Sequence, residues 1–169
     1  FGKDNCEIVV SIDGIRHIAD IMTKENVVIE LQNSPIQKLI IRKRENFYGE
    51  RMIWIINGKH FESNFDIKPP RSSRLDEDEE YWQLHNPMAK HFGAVDKIIK
   101  NQRRYTWSWP HKSWSDVQRD VFIDFGDENL FWVIDGMGTP TGNGKQISKE
   151  EFIMKYGGNV ELLATLIVN

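Results

Sequence analysis

Cysteine is nearly missing from this chain of 169 residues: Cys6 stands alone. That excludes an internal disulfide and any zinc site built on paired cysteines, and it fits a reducing, cytoplasmic setting. No apolar run approaches the roughly 20 residues that a membrane-spanning helix needs, and no signal-peptide pattern opens the chain. Positive charge is not in excess, since the formal net charge is −3. Bulk charge therefore does not announce a nucleic-acid binder, and such a partner would need a local basic patch or metal ions to hold it. A starting Met is missing too; if the sequence is a piece of a longer chain, an element upstream of Phe1 is to be expected.

What is present suffices for one hydrophobic core, with six Trp and nine Phe to fill it. We read residues 1–169 as a single domain, in which 1–60 carry the chemistry and 61–169 extend or cover the sheet. Cys6 to Ile12 is apolar and β-branched and ends at Asp13-Gly14, a hairpin signal. Ile15 to Thr23 and Val27 to Gln32 follow as second and third strands. Ser34 is placed to cap a helix with Pro35 at its first position. That helix runs from Ile36 to Tyr48 and closes at Gly49. Met52 to Ile56 is a buried strand beside the first three. The expected architecture is α/β of the α+β type: a mixed central sheet of four or five strands with flanking helices.

The remainder is less regular. Residues 61–80, with Pro69-Pro70 and the acidic run Asp76 to Glu80, read as a solvated surface loop or insertion. Residues 81–104 read as a helix or two ending in the basic Lys97 to Arg104. Val121 to Phe125 and Leu130 to Ile134 predict a hairpin, and Gly136 to Gly144 a glycine-rich loop. Ser148 with Glu151 forms a capping box for a short helix to Tyr156. Glu161 to Val168 is a last apolar element.

The chemistry gathers in the first half. Side chains two apart on a strand point the same way, so Glu30 and Gln32 share a face with Val28, while Ile29 and Leu31 face the other. A short hairpin brings Asp20 opposite the Glu30 region. Two neighbouring buried carboxylates repel each other unless a cation sits between them. A hard divalent ion would take oxygen from Asp20, Glu30, a main-chain carbonyl such as that of Leu31, and water. It would polarise a phosphoryl oxygen and acidify a bound water, the two effects that phosphodiester hydrolysis needs. Gln32 would orient water or touch a phosphate oxygen; an amide cannot act as a general base near neutral pH. As spacing alone, D-x9-E-x-Q is unspecific, since acidic residues near hairpin ends are usually solvated surface charges rather than metal ligands.

A resemblance bears on this choice. The runs Arg16-His17-Ile18-Ala19-Asp20-Ile21, Val28-Ile29-Glu30-Leu31-Gln32-Asn33-Ser34-Pro35-Ile36, Arg44-Glu45-Asn46-Phe47-Tyr48-Gly49 and Ile53-Trp54-Ile55 resemble the competence-protein CoiA-like nuclease family. That family belongs to the PD-(D/E)XK, restriction-endonuclease-like group. The resemblance covers about a third of the chain. It implies a nuclease that uses Mg²⁺ or Mn²⁺, with Asp20 as the motif aspartate, Glu30 as the second acid, and Gln32 where most of the wider group has Lys. It implies supporting roles for Arg44 and Tyr48, which lie four apart on one helix face, and for Glu7 on the first strand as an outer ligand, unless Glu7 is a half-exposed strand residue. It also implies an opening helix that often supplies an acid. Nucleic acid is the implied partner, DNA ahead of RNA, with protein partners in recombination or a second copy of the chain beside it. The other reading is a nuclease-fold protein that binds strands and recruits partners without cutting them.

Other signals carry less. His17 reads as a packing residue. His85-Asn86-Pro87 with His91 lacks the flanks of a His-metal nuclease. Gly138 to Lys145 does not meet the phosphate-loop pattern, since Thr139 and Gln146 hold two of its required positions. Lys97, Lys100, Arg103, Arg104 and Lys112 interleave with Tyr105, Trp107, Trp109 and Trp114. We read most of these tryptophans as core, and Lys100, Arg103 and Arg104 as candidate nucleic-acid contacts.

Overall fold

The computed structural model describes residues 1–69 and 102–161. Strands β1 (Cys6–Ile12), β2 (Ile15–Met22) and β3 (Val28–Gln32) are followed by helix α1 (Lys38–Tyr48) and strand β4 (Met52–Asn57). Strands β5 (Phe65–Ile67), β6 (Arg103–Trp107), β7 (Val121–Asp124), β8 (Asn129–Asp135) and β9 (Thr141–Ser148) come next, and helix α2 (Lys149–Lys155) follows. Among the described residues all strands join one nine-stranded sheet in the order β1-β2-β3-β4-β7-β8-β9-β6-β5. The fold is mixed α+β, as expected, but the sheet has about twice the expected number of strands.

Its centre is parallel. β3 pairs with β4 and β4 with β7 in parallel register, and the other neighbours are antiparallel. Parallel strands are covered on both faces and so read as continuous apolar runs, which is how Met52 to Ile56 and Val121 to Ile123 read. One face packs on α1 through Ile41 and Tyr48, together with Val28, Trp54, Trp107 and Phe131. The other packs on α2 through Phe152, with Ile29, Ile53, Phe122 and Leu130.

Several local readings hold. Asp13 and Gly14 both have positive φ, 49° and 79°, the requirement of the tight turn that matches strand twist. Ser148 Oγ accepts from the Glu151 amide at 3.0 Å and caps α2. The helix α1, however, begins at Lys38 rather than Ile36, behind Gln37, which makes no side-chain cap bond. Ser34 lies three residues before the Gln37 cap position and so cannot cap the helix; its carbonyl accepts from Gln32 Nε2 at 2.6 Å.

The extra strands have physical causes. Phe61 and Phe65, inside the stretch read as a surface loop, are buried, and burying Phe65 places β5 at the sheet edge beside β6. The glycine-rich stretch continues into β9. There a Cβ on Gly142 would lie 2.5 Å from the Tyr105 hydroxyl, and one on Gly144 would lie 2.4 Å from the Phe131 ring. These glycines are strand residues over which aromatic rings lie, not loop residues. The expected helices over 81–104 fall largely outside the described residues, although Arg103 and Arg104 belong to β6. The element expected from Glu161 also lies outside them beyond its first residue.

Candidate metal centre

The β2–β3 ladder is short. It consists of Met22↔Val28 and Ile21↔Ile29, whereas β1 and β2 pair along nearly their whole length. Extended by one step, the register would set Asp20 against Glu30. The ladder stops there instead. The Leu31 amide donates to Asp20 Oδ2 at 2.7 Å, so a carboxylate takes the place of a main-chain acceptor. In a strand a residue's N–H and C=O point to the same side, so the Leu31 carbonyl faces the same gap.

A change of face in β2 explains how Asp20 reaches into the plane of the sheet. Ala19 and Met22 both pack against the core that bears α1, although they are three residues apart, while Ile21 packs on the opposite core. Regular alternation is therefore broken at Asp20. The neighbouring strand is irregular at the same level: Glu7 has φ 53°, a left-handed backbone that costs a non-glycine residue about 1–2 kcal/mol. Glu7 occupies the step between Cys6↔Ile21 and Ile8↔Ala19, across from Asp20, with its side chain exposed.

Glu30 lies on the α1 face and is 1 % exposed. Arg44 Nη1 donates to Glu30 Oε2 in an ion pair, and the same guanidinium lies 5.9 Å from the centre of the Trp54 ring. The other oxygen, Oε1, is buried and meets no hydrogen-bond donor among the described residues. The Tyr48 hydroxyl beside it is also buried without a bond of normal geometry. Burial pushes the Glu30 carboxyl up to about 7; the Arg44 charge opposes that rise and the Asp20 charge adds to it. Burial, then the Glu30 charge, holds the Tyr48 phenol above its usual range.

This donor set suits a hard divalent cation. It presents two mutually repelling carboxylates, an unpartnered buried carboxylate oxygen and a main-chain carbonyl on one gap. Asp20, Glu30 and the Leu31 carbonyl are the residues that could hold such an ion. Among the described residues no third His, Cys, Asp or Glu joins them to make a cluster of metal-ligating side chains.

The remaining expected residues are placed as follows. Gln32 follows Glu30 on the same strand, but its amide is turned to Ser34. His17 packs on Phe47 with ring centres 4.4 Å apart, as its packing reading expects. Arg103 and Arg104 are consecutive on β6 and so project to opposite faces of the sheet. Lys100, His85 and His91 lie outside the described residues. Tyr105, Trp107 and Trp114 are core, whereas Trp109 is 76 % exposed. No helix among the described residues is long and apolar enough to cross a membrane.

Residue reading did not single out Glu45. It is 2 % exposed and accepts from Trp54 Nε1 and from the amides of Gln118 and Arg119, each at 3.2 Å. It ties α1 to the segment leading into β7 and steadies the Trp54 ring beneath Arg44. An acid that directly follows Arg42, Lys43 and Arg44 gives no sequence signal of burial.

Searches of curated proteins and of solved structures gave no match. A family model matches residues 5–112, more than half of the chain, and its description is competence protein CoiA, nuclease-like domain. The matched span includes Asp20, Glu30, Arg44 and Tyr48 and ends before β7. The chain belongs to the CoiA nuclease-like domain family.

Proposed function

We propose that this protein is a Mg²⁺- or Mn²⁺-dependent nuclease of the PD-(D/E)XK type, acting in the cytoplasm on DNA ahead of RNA. The observation that carries the proposal is the buried, unpartnered Glu30 Oε1 beside Asp20, within a nuclease-like family. Asp20, Glu30 and the Leu31 carbonyl would hold the cation. When bound, the ion supplies Lewis-acid polarisation of a phosphoryl oxygen and makes water a stronger nucleophile.

The protein's own groups set the geometry. Arg44 fixes one Glu30 oxygen and leaves the other, Oε1, free for a cation. Trp54 packs under the guanidinium, and Glu45 holds the Trp54 indole in turn. Tyr48 bounds the site with its hydroxyl beside the Glu30 carboxylate. Gln32 orients water or phosphate once its amide leaves Ser34.

The test is incubation of the protein with end-labelled single-stranded DNA, duplex DNA and RNA in Mg²⁺, Mn²⁺ or EDTA. Cleavage in metal, lost in EDTA and in Glu30→Gln, supports the proposal. Equal cleavage in EDTA overturns it. One observation favours a second reading, that of a strand-binding protein without cutting: Gln32 is bound to Ser34, and among the described residues no third metal-ligating side chain joins Asp20 and Glu30. Strand binding with no cleavage in either metal selects that reading.

A further inference from the structure

The half of the sheet farthest from β1 carries a cluster that the metal-centre reading leaves unused. Trp132 on β8 stands opposite Lys145 on β9. The Lys145 ammonium lies 4.6 Å from the centre of the Trp132 ring, and the Lys155 ammonium, from the end of α2, lies 4.8 Å from it. The ring also stacks on Phe122 at 5.6 Å and 25°, which anchors it to the core. Two strands, one helix and a buried aromatic thus hold two ammonium groups beside one indole.

The ring's electron-rich face attracts both ammonium groups. The two like charges repel each other, and among the described residues neither forms an ion pair. Glu151 sits one turn before Lys155 on α2 and does not pair with it. Convergent ammonium groups on a fixed platform match an anion, as convergent carboxylates match a cation.

The surrounding face extends the match. Asn143 and Lys145 are two apart on β9 and share a face, and Arg104 on β6 stands opposite Asn143. Arg104, Asn143, Lys145 and Trp132 therefore lie on one side of the sheet. This is the side that packs on α2, away from α1 and Glu30. Arg104 is exposed, and Asn143 between it and Lys145 donates its Nδ2 to Asp135 Oδ2 at 3.0 Å, so one carboxylate adjoins the cations. A row of cations beside an amphipathic aromatic fits a phosphodiester backbone with its sugars and bases.

We propose that Lys145, Lys155 and Trp132, extended by Arg104, form a phosphate clamp that anchors a nucleic-acid strand on the sheet face opposite α1. The inference deepens the nucleic-acid reading above and does not depend on the metal. It refines the basic patch: Arg104 belongs to this surface and Arg103, on the other face of β6, does not. Except for Arg104, the clamp lies outside the span that matches the family.

The test is fluorescence-anisotropy binding of a labelled 20-nucleotide oligothymidylate in EDTA over a series of salt concentrations. It uses the whole chain and the double variant Lys145→Gln/Lys155→Gln. Loss of two phosphate contacts should weaken binding about tenfold near 0.1 M salt and flatten the logarithmic salt slope by about 1.4. Arg103→Gln should leave both unchanged. Thermal stabilisation by Mn²⁺ should survive in the double variant, which shows an intact fold. Unchanged affinity and slope in the double variant overturn the clamp, as does a wild type that does not bind the oligonucleotide at low salt. Tighter binding of a polyglutamate peptide of equal charge, lost in the same variant, overturns it in favour of an acidic protein partner. If Mn²⁺ stabilises nothing while oligonucleotide binding falls as expected, the clamp stands and the metal reading fails.

Discussion

Asp20 accepts the Leu31 amide at the point where the β2–β3 ladder ends, so one carboxylate both closes the sheet and faces Glu30. The two roles separate by substitution. Asp20→Asn keeps an acceptor for the amide and should change stability in EDTA by less than about 0.5 kcal/mol. Asp20→Ala leaves the amide to solvent and should cost about 1 kcal/mol. Both should lose stabilisation by Mn²⁺. Urea unfolding with and without Mn²⁺ reads both quantities; full Mn²⁺ stabilisation in Asp20→Ala would remove Asp20 from the centre.

The Glu30 carboxyl gives the metal-free protein a pH signature. Its folded value, about 7, lies above its usual 4.5, so the folded state binds the proton more tightly than the unfolded chain does. The resulting stability is fully present below pH 4.5 and is lost as pH rises through 7. It amounts to at most about 3 kcal/mol. In EDTA the stability of wild type minus that of Glu30→Gln should therefore fall across this window, with the other titrating groups cancelling. A flat difference would mean that Glu30 is solvated.

Glu45 makes a separate structural prediction. Removing its carboxylate leaves the Trp54 indole and the Gln118 and Arg119 amides without their acceptor. Glu45→Ala should cost about 3 kcal/mol, and Glu45→Gln distinctly less, because one amide oxygen remains. Denaturant midpoints measure the difference. Equal loss in both variants would assign the effect to packing volume rather than to hydrogen bonding.

Gly144 tests β9. An alanine Cβ there meets the Phe131 ring at 2.4 Å and has no room without displacing it. Gly144→Ala should destabilise by about 1–3 kcal/mol. Adding Phe131→Leu should cost less in the Gly144→Ala background than in wild type, and a double-mutant cycle measures that coupling. Strict additivity would place the glycine away from the ring.

The parts of the fold that could be read from sequence are those where local pattern and tertiary environment agree. Asp13-Gly14 sets its own turn, Ser148-x-x-Glu151 caps its own helix, and β4 and β7 are apolar because both their faces are covered. The parts that could not be read are those where a distant side chain decides. Gly142 and Gly144 look like loop residues until Tyr105 and Phe131 are seen across them. Ser34 looks like a cap, but the helix starts only at Lys38, behind Gln37. At the candidate centre, alternation located Glu30 on its face, but it cannot show the break at Asp20 that turns this carboxylate into the sheet plane. Arg103 and Arg104 read as one patch because adjacency in sequence hides the opposite faces of β6.

Titrating the metal-free protein with Mn²⁺ in a calorimeter at pH 7, in two buffers of different ionisation enthalpy, tests whether Glu30 holds a cation. A cation held by Glu30 displaces the proton that a carboxyl with a value near 7 retains. One Mn²⁺ should bind per chain, with release of about half a proton at pH 7. Release should fall toward zero above pH 8.5, and both binding and release should vanish in Glu30→Gln. Absence of binding at millimolar Mn²⁺, or equal binding in Glu30→Gln, would mean that Glu30 holds no cation.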